Sequence, residues 1–150
     1  MRHGLAALRA TGAALRLPYY LALLAEACGQ TGQAAEGLTL LAEALAQAHK
    51  AGESWTEAEL HRRKGELLLS LSADNHAEAE GCFHQALAEA RRQQAKSLEL
   101  RAATSLSRLW QQQGKRAEAH HLLAEIYGWF TEGFDTADLQ EAKALLEALA

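Results

Sequence analysis

The chain has 150 residues, of which 49% are hydrophobic and only 6% aromatic, with a formal net charge of −4. This length suits a single domain, and the composition favours a helix-rich interior of alanine and leucine. Basic residues are interspersed with glutamate and form no patch, so we expect no nucleic-acid partner. The most apolar stretch, residues 17–28, is too short to cross a bilayer.

Apolar residues recur at spacings of three and four along most of the chain, whereas the alternation typical of strands is almost absent. There is no valine, and Ile126 is the single isoleucine. These patterns predict an all-α fold. Loop signals divide the chain into eight helices. In chain order we predict a half repeat at 3–14, helical hairpins at 18–50, 54–94 and 97–131, and a capping helix at 135–149.

A repeat runs through these helices, because a small residue is followed four positions later by a large apolar one. The pairs are Gly4/Leu8, Gly37/Leu41, Ala79/Phe83 and Ala119/Leu123. Their spacings of 33, 42 and 40 residues lie near or above the roughly 34 residues of a tetratricopeptide unit. The sequence therefore predicts a right-handed superhelix of tetratricopeptide-like antiparallel hairpins.

The predicted helix at 3–14 matches the second helix of a repeat, and its own first helix is missing. A solenoid unit cannot bury its apolar face alone, so this open end predicts either a longer parent protein or a dimer. Leu5 and Leu8 are the candidate interface residues.

Three helix starts carry a capping residue followed three positions later by an acid. They begin at Ser54, Asn75 and Asp135. This spacing predicts side-chain N-caps that satisfy the first helical amides.

Three segments resemble a known family: Tyr127–Leu139, Leu60–Leu67 and Leu109–Lys115. They are similar to the carboxyl-terminal region of large bacterial signalling ATPases, many of which carry a class III adenylate or guanylate cyclase domain. The resemblance implies a sensing or partner-binding arm of tetratricopeptide-like repeats. No phosphate-binding loop and no metal-holding aspartate pair of a cyclase occurs in the sequence, so we expect no enzyme activity and no cofactor.

Seven histidines suggest an alternative, a helical metal-dependent enzyme. Its candidate ligands are Cys82 with His76 and His84, or the pair His120 and His121. Adjacent residues on a helix point about 100° apart, so neither set is well aligned, and we expect no metal site. With two cysteines lacking metal-type spacing and no evident signal peptide, we expect a cytoplasmic setting.

The three tryptophans, Trp55, Trp110 and Trp129, could form an aromatic ligand pocket. Trp110 shares its repeat position with Cys28 and Leu68, which favours packing in the core instead.

The candidate partner-binding groove lies on the first helices of the hairpins. Aligning them by Ala25, Gly65 and Ser107 places eight residues on that face: Tyr19, Glu26, Arg62, Glu66, Arg101, Thr104, Arg108 and Gln112.

The three arginines of this set could clamp the carboxylate of a protein or peptide partner through forked hydrogen bonds. The alternative is a solvated helix face, on which Arg62 and Glu66 form an i,i+4 pair worth only about 0.3 kcal/mol. The sequence thus predicts a protein-interaction module, with homo-oligomerisation through the open end as a rival function.

Overall fold

A computed structural model describes residues 17–50, 52 and 56–150, and over these residues it is helical without any strand. The all-α prediction is confirmed. The helices are α1 (Leu17–Gln30), α2 (Ala34–Lys50), α3 (Glu57–Leu71), α4 (His76–Arg92), α5 (Lys96–Gln112), α6 (Arg116–Tyr127) and α7 (Ala137–Leu149), with a 3-10 turn at Ala73–Asn75. The predicted helix at 3–14, with Leu5 and Leu8, lies outside the described residues, as do Ser54 and Trp55.

Three of the turns between helices are built alike. Each has three residues, and the middle one, Gly32, Gln94 or Gly114, adopts a positive φ of 80°, 56° or 81°. The amide of the third residue donates to a carbonyl five positions earlier: Gln33 to Cys28 (2.7 Å), Ala95 to Ala90 (2.9 Å) and Lys115 to Trp110 (2.8 Å). This bond closes the preceding helix and reverses the chain. The same kind of turn therefore joins α1 to α2, α4 to α5 and α5 to α6.

The helices pack in two layers. Each helix packs against the next along the chain, and α1, α3, α5 and α7 also contact one another in that order. Within the described residues, α2, α4 and α6 contact one another little. The odd-numbered helices thus form one continuous row, against which the even-numbered helices pack.

The large members of the repeated pairs lie in the core. Leu41, Phe83 and Leu123 are each fully buried. The small members lie where paired helices approach closely, since a Cβ added at Gly37 would lie 3.0 Å from the Ala25 carbonyl oxygen. The close approach of α1 and α2 therefore depends on the missing side chain.

Helix α3 joins the two parts of the core. Its Leu60 and Leu67 pack with the apolar residues of α1 and α2, whereas Leu68 packs with those of α4 to α7. Burial on two sides explains why α3 carries apolar residues beyond a single stripe.

Asn75 holds the N-cap position that the sequence predicts but makes no side-chain capping bond, and the capping prediction at Asp135 is wrong. Asn75 precedes α4, but its Nδ2 donates to the Leu68 carbonyl (2.9 Å) and closes the end of α3. The 3-10 turn runs directly into α4, and the Asn75 side chain therefore points toward the end of α3 instead of toward the first amides of α4. Helix α7 starts one residue later than the capping pattern requires, so Thr136 holds the cap position, without a side-chain bond.

The burial of His61 predicts that acid destabilises the fold. Burial lowers the pKa of His61, and the positive charge of Lys64 lowers it further. The negative charges of Glu57 and Glu89 act in the opposite direction but do not outweigh burial. Its buried Nδ1 has no hydrogen-bond partner. Because the folded chain binds this proton more weakly than the unfolded chain, the stability contribution is present above pH of about 6.5 and is lost as the pH falls below it.

We expect the unfolding free energy of His61→Gln to fall less between pH 7 and pH 5 than that of the wild type. His49→Gln is the matched control, because that side chain is exposed. Urea titrations at several pH values measure the difference. An equal change of unfolding free energy with pH in the wild type and in His61→Gln would show that His61 is not the source of the acid sensitivity.

Candidate functional site

A row of ion pairs crosses the four odd-numbered helices, and we call this surface the odd face. Arg63 of α3 donates through Nη1 to Glu26 Oε2 of α1 (2.6 Å). Arg101 Nη2 of α5 lies 2.9 Å from Glu59 Oε1 of α3. Arg101 Nε also lies 3.7 Å from Asp138 Oδ1 of α7. Opposite charges therefore link each odd-numbered helix to the next.

Arg62 is the most enclosed arginine of the odd face, with a side chain only 12% exposed. It pairs with Glu59 (2.5 Å) and with Glu66 (2.8 Å), the partner predicted from the i,i+4 spacing. Burial alone would lower the pKa of Arg62, but the hydrogen bonds and charges of Glu59 and Glu66 outweigh it and raise the pKa above its usual range. Ser105 Oγ donates to Glu66 Oε1 at 2.9 Å and ties this group to α5. Arg62 is thus a structural ion pair partner.

Arg101 and Arg108 differ from Arg62 in being accessible, with side chains 34% and 45% exposed. Arg108 pairs with Glu141 of α7. A small cleft of about 60 Å³ lies among these residues, and Thr104 and Ser105 form part of its wall. That volume leaves room for a few water molecules or for a single carboxylate group.

A larger cleft of about 280 Å³ lies beside it, between α1 and α3. Its walls include Glu26, Arg63, Leu67 and Ser70, and it shares Arg62 with the smaller cleft. The odd face therefore offers two neighbouring clefts, a small one lined by three arginines and two carboxylates and a roomier one of mixed polarity.

The remaining predicted groove residues fall into different environments. Thr104 is buried, and its hydroxyl donates to the Leu100 carbonyl at 2.8 Å, within its own helix. Gln112 is exposed at the end of α5. The side chain of Tyr19 lies outside the described part of the chain. Glu26 joins the row of ion pairs, and its hydrogen bond with Arg63 lowers its pKa.

Sequence reasoning missed several members of the odd face: Glu59, Arg63, Ser105, Asp138 and Glu141. The i,i+4 spacing of Glu59 and Arg63 predicts a pair within α3, and Arg63 Nε does lie 3.5 Å from Glu59 Oε1. The pairs between helices have no such signal, because they depend on how each helix is rotated in the stack.

The proposed metal ligands do not converge. Among the residues that the structure describes, no three histidine, cysteine or carboxylate side chains are placed to hold a metal ion. His84 lies 3.6 Å from Glu80 Oε1, which also accepts a hydrogen bond from Trp110 Nε1 (2.8 Å). Cys82 is unpaired and buried, and its burial raises the pKa of the thiol.

No protein-family model and no curated protein matches the chain. Over the described residues, no helix combines the length and the apolar character that crossing a bilayer demands.

Proposed function

We propose that this chain is a protein-interaction module, built as a tetratricopeptide-like right-handed stack of hairpins and closed by α7 as a capping helix. The observation that carries the proposal is the continuous odd face, on which ion pairs join α1, α3, α5 and α7 in sequence. The first helices of stacked hairpins line the concave surface of such solenoids, where partner segments bind.

The ligand would be an acidic peptide segment that lies across α3, α5 and α7. Arg101 and Arg108 would bind its carboxylate at the small cleft, and an adjacent side chain would enter the larger one. Both arginines are already held by internal carboxylates, so little side-chain entropy is lost on binding. A ligand carboxylate must compete with Asp138 and Glu141, however, which favours modest affinity and selection by geometry.

The parent protein would be a cytoplasmic signalling ATPase or cyclase, in which this chain is the regulatory or sensing arm. Support comes from the resemblance of the Tyr127–Leu139, Leu60–Leu67 and Leu109–Lys115 segments to such proteins. A partner bound to the odd face would alter the packing of the hairpins and, through it, the rest of the parent chain. The chain itself would perform no catalysis.

The test is a selection of random peptides displayed against the immobilised full chain. We expect enrichment of peptides rich in aspartate and glutamate. Their binding should be lost with Arg108→Glu, because this exposed arginine can be reversed without exposing a buried partner. The matched control is Lys143→Glu, which makes the same charge change at an exposed position of α7.

Two results would refute the proposal. One is a selection that enriches no acidic peptides. The other is a set of enriched peptides that bind Arg108→Glu as tightly as they bind the wild type.

A further inference from the structure

A cavity of about 590 Å³ lies at the amino-terminal ends of α5 and α7, beside the segment that joins α6 to α7, and we call it the aromatic cavity. Part of its wall is apolar core, because Leu100 and Leu139 are buried. This volume is large enough for an aromatic side chain of a ligand. The complete wall consists of Ser97, Leu100, Trp129, Phe130, Thr131, Glu132, Gly133, Thr136, Asp138 and Leu139.

The aromatic cavity adjoins the small cleft of the odd face. Asp138 lies in the walls of both, just as Arg62 lies in the walls of the small and the larger cleft. On α5, Ser97 of the aromatic cavity and Arg101 of the small cleft are four residues apart. This spacing puts them on one face of the helix, about 6 Å apart along its axis. A ligand bound at Arg101 therefore has the aromatic cavity within reach of its neighbouring side chains.

The aromatic cavity presents an indole to solvent. Trp129 is 58% exposed, more than any other large apolar side chain among the described residues. It packs edge-on against Phe130, with the ring centroids 5.2 Å apart, so the indole is held in place. An apolar side chain that is both fixed and exposed offers contact area with little loss of entropy on binding. Tryptophan is also among the residues that most often dominate the binding energy of an interface.

The charges around the aromatic cavity favour a neutral ring as its occupant. Lys96 Nζ lies 5.5 Å from the indole centroid and 3.1 Å from Glu99 Oε2, so a cation already lies at this ring. Asp138 is already paired with Arg101, at 3.7 Å. Glu132 is exposed in the cavity wall and disfavours a carboxylate of the ligand there. The complementary group is therefore an uncharged aromatic side chain that packs against the indole.

We infer that the acidic segment proposed to bind the odd face also places an aromatic side chain in the aromatic cavity, against Trp129. The inference rests on the proposed function, because the ligand carboxylate at Arg101 and Arg108 sets the register of the segment. Side chains on the same side of an extended segment are two residues and about 6.5 Å apart, close to the axial distance from Arg101 to Ser97. The ligand therefore carries an aromatic residue two positions from an acidic one.

The ring and the carboxylate have different roles in this ligand. The carboxylate competes with Asp138 and Glu141 for the two arginines, so it contributes more to register than to affinity. The ring enters a cavity in which it displaces no internal ion pair, so its burial against Trp129 contributes most of the binding energy. Neither group alone is expected to bind tightly.

The experiment repeats the selection of displayed random peptides with three forms of the full chain. On the wild type, we expect acidic peptides with an aromatic residue two positions from the acid. On Trp129→Ala, the acidic residues should remain enriched and the aromatic preference should disappear. Phe134→Ala is the matched control and should give the wild-type result. Phe134 is an exposed aromatic residue of the same segment that packs on Tyr127, with ring centroids 5.9 Å apart, outside the cavity wall.

The affinity of one enriched peptide measures the contact directly. Fluorescence anisotropy of the labelled peptide should show binding that weakens roughly tenfold with Trp129→Ala. The same peptide with alanine in place of its aromatic residue should bind the wild type and Trp129→Ala equally, because the two changes are coupled only if the rings touch. Circular dichroism verifies that the variants keep their helix content.

The variants at Arg108 and Trp129 distinguish the proposed function from this inference. Acidic peptides that require Arg108 but show no aromatic preference, or that bind Trp129→Ala as tightly as the wild type, would overturn the inference and leave the proposed function standing. So would a peptide ring whose removal weakens binding equally in both proteins, because the ring would then lie elsewhere. Peptides indifferent to Arg108→Glu would refute the proposed function, and the inference with it.

Discussion

Gly65→Ala should destabilise the protein by about 1–2 kcal/mol, although replacing glycine by alanine inside a helix ordinarily stabilises it by about 0.5–1 kcal/mol. The reversal follows from the contact between α3 and α4. A Cβ at position 65 would lie 2.5 Å from Cε1 of Phe83, whose side chain is fully buried. The measurement is the free energy of unfolding in urea.

Gly81→Ala provides the matched control within the same pair of helices. Gly81 lies in α4, and a Cβ there would meet nothing within 4 Å. We expect this variant to be more stable than the wild type by about 0.5–1 kcal/mol. Gly65→Ala combined with Phe83→Leu should cost less than the sum of the two single changes, because the smaller side chain relieves the overlap. A Gly65→Ala protein as stable as the wild type would show that α3 and α4 do not approach this closely.

Glu59→Gln should lower the free energy of unfolding by about 2 kcal/mol more than Glu57→Gln does. Both glutamates lie in the first turn of α3, so both changes remove the same favourable interaction with the helix dipole. Only Glu59 also holds Arg62, Arg63 and Arg101. Its neutral replacement leaves three positive charges close together, one of them on the largely enclosed Arg62.

Salt distinguishes this cause from a general surface effect. The side chain of Glu59 is only 18% exposed, so salt screens its ion pairs incompletely. Added sodium chloride should therefore reduce the difference in unfolding free energy between the two variants without abolishing it. Thermal and urea unfolding of both proteins at low and high salt provide the comparison. If Glu59→Gln and Glu57→Gln proved equally stable, the ion pairs of Glu59 would contribute nothing to the stability of the fold.

The helical character was predictable because it depends on local spacing. Apolar residues at intervals of three and four favour helices, and the near absence of β-branched aliphatic residues disfavours strands. The buried positions of Leu41, Phe83 and Leu123 follow from the same spacing. Helix ends were harder to predict, because the side-chain bond of Asn75 depends on a 3-10 turn that the sequence pattern does not reveal.

The odd face could be predicted only in outline. The repeat register assigns Arg62, Arg101 and Arg108 to the first helices of hairpins, but it contains no information about their partners in space. Arg63 and Glu26 are 37 residues apart, and Arg108 and Glu141 are 33 apart, so their pairing depends on the rotation of one helix against another. The exposure of Trp129 likewise depends on the path of the chain between α6 and α7.

The central claim is that partners bind on the row of odd-numbered helices. Hydrogen exchange of the full chain, with and without the most strongly enriched acidic peptide, tests it most directly. We predict that the peptide slows exchange in α3, α5 and α7 and leaves α2, α4 and α6 unchanged. Slower exchange confined to the even-numbered helices, or to the segment between α6 and α7, would contradict the claim.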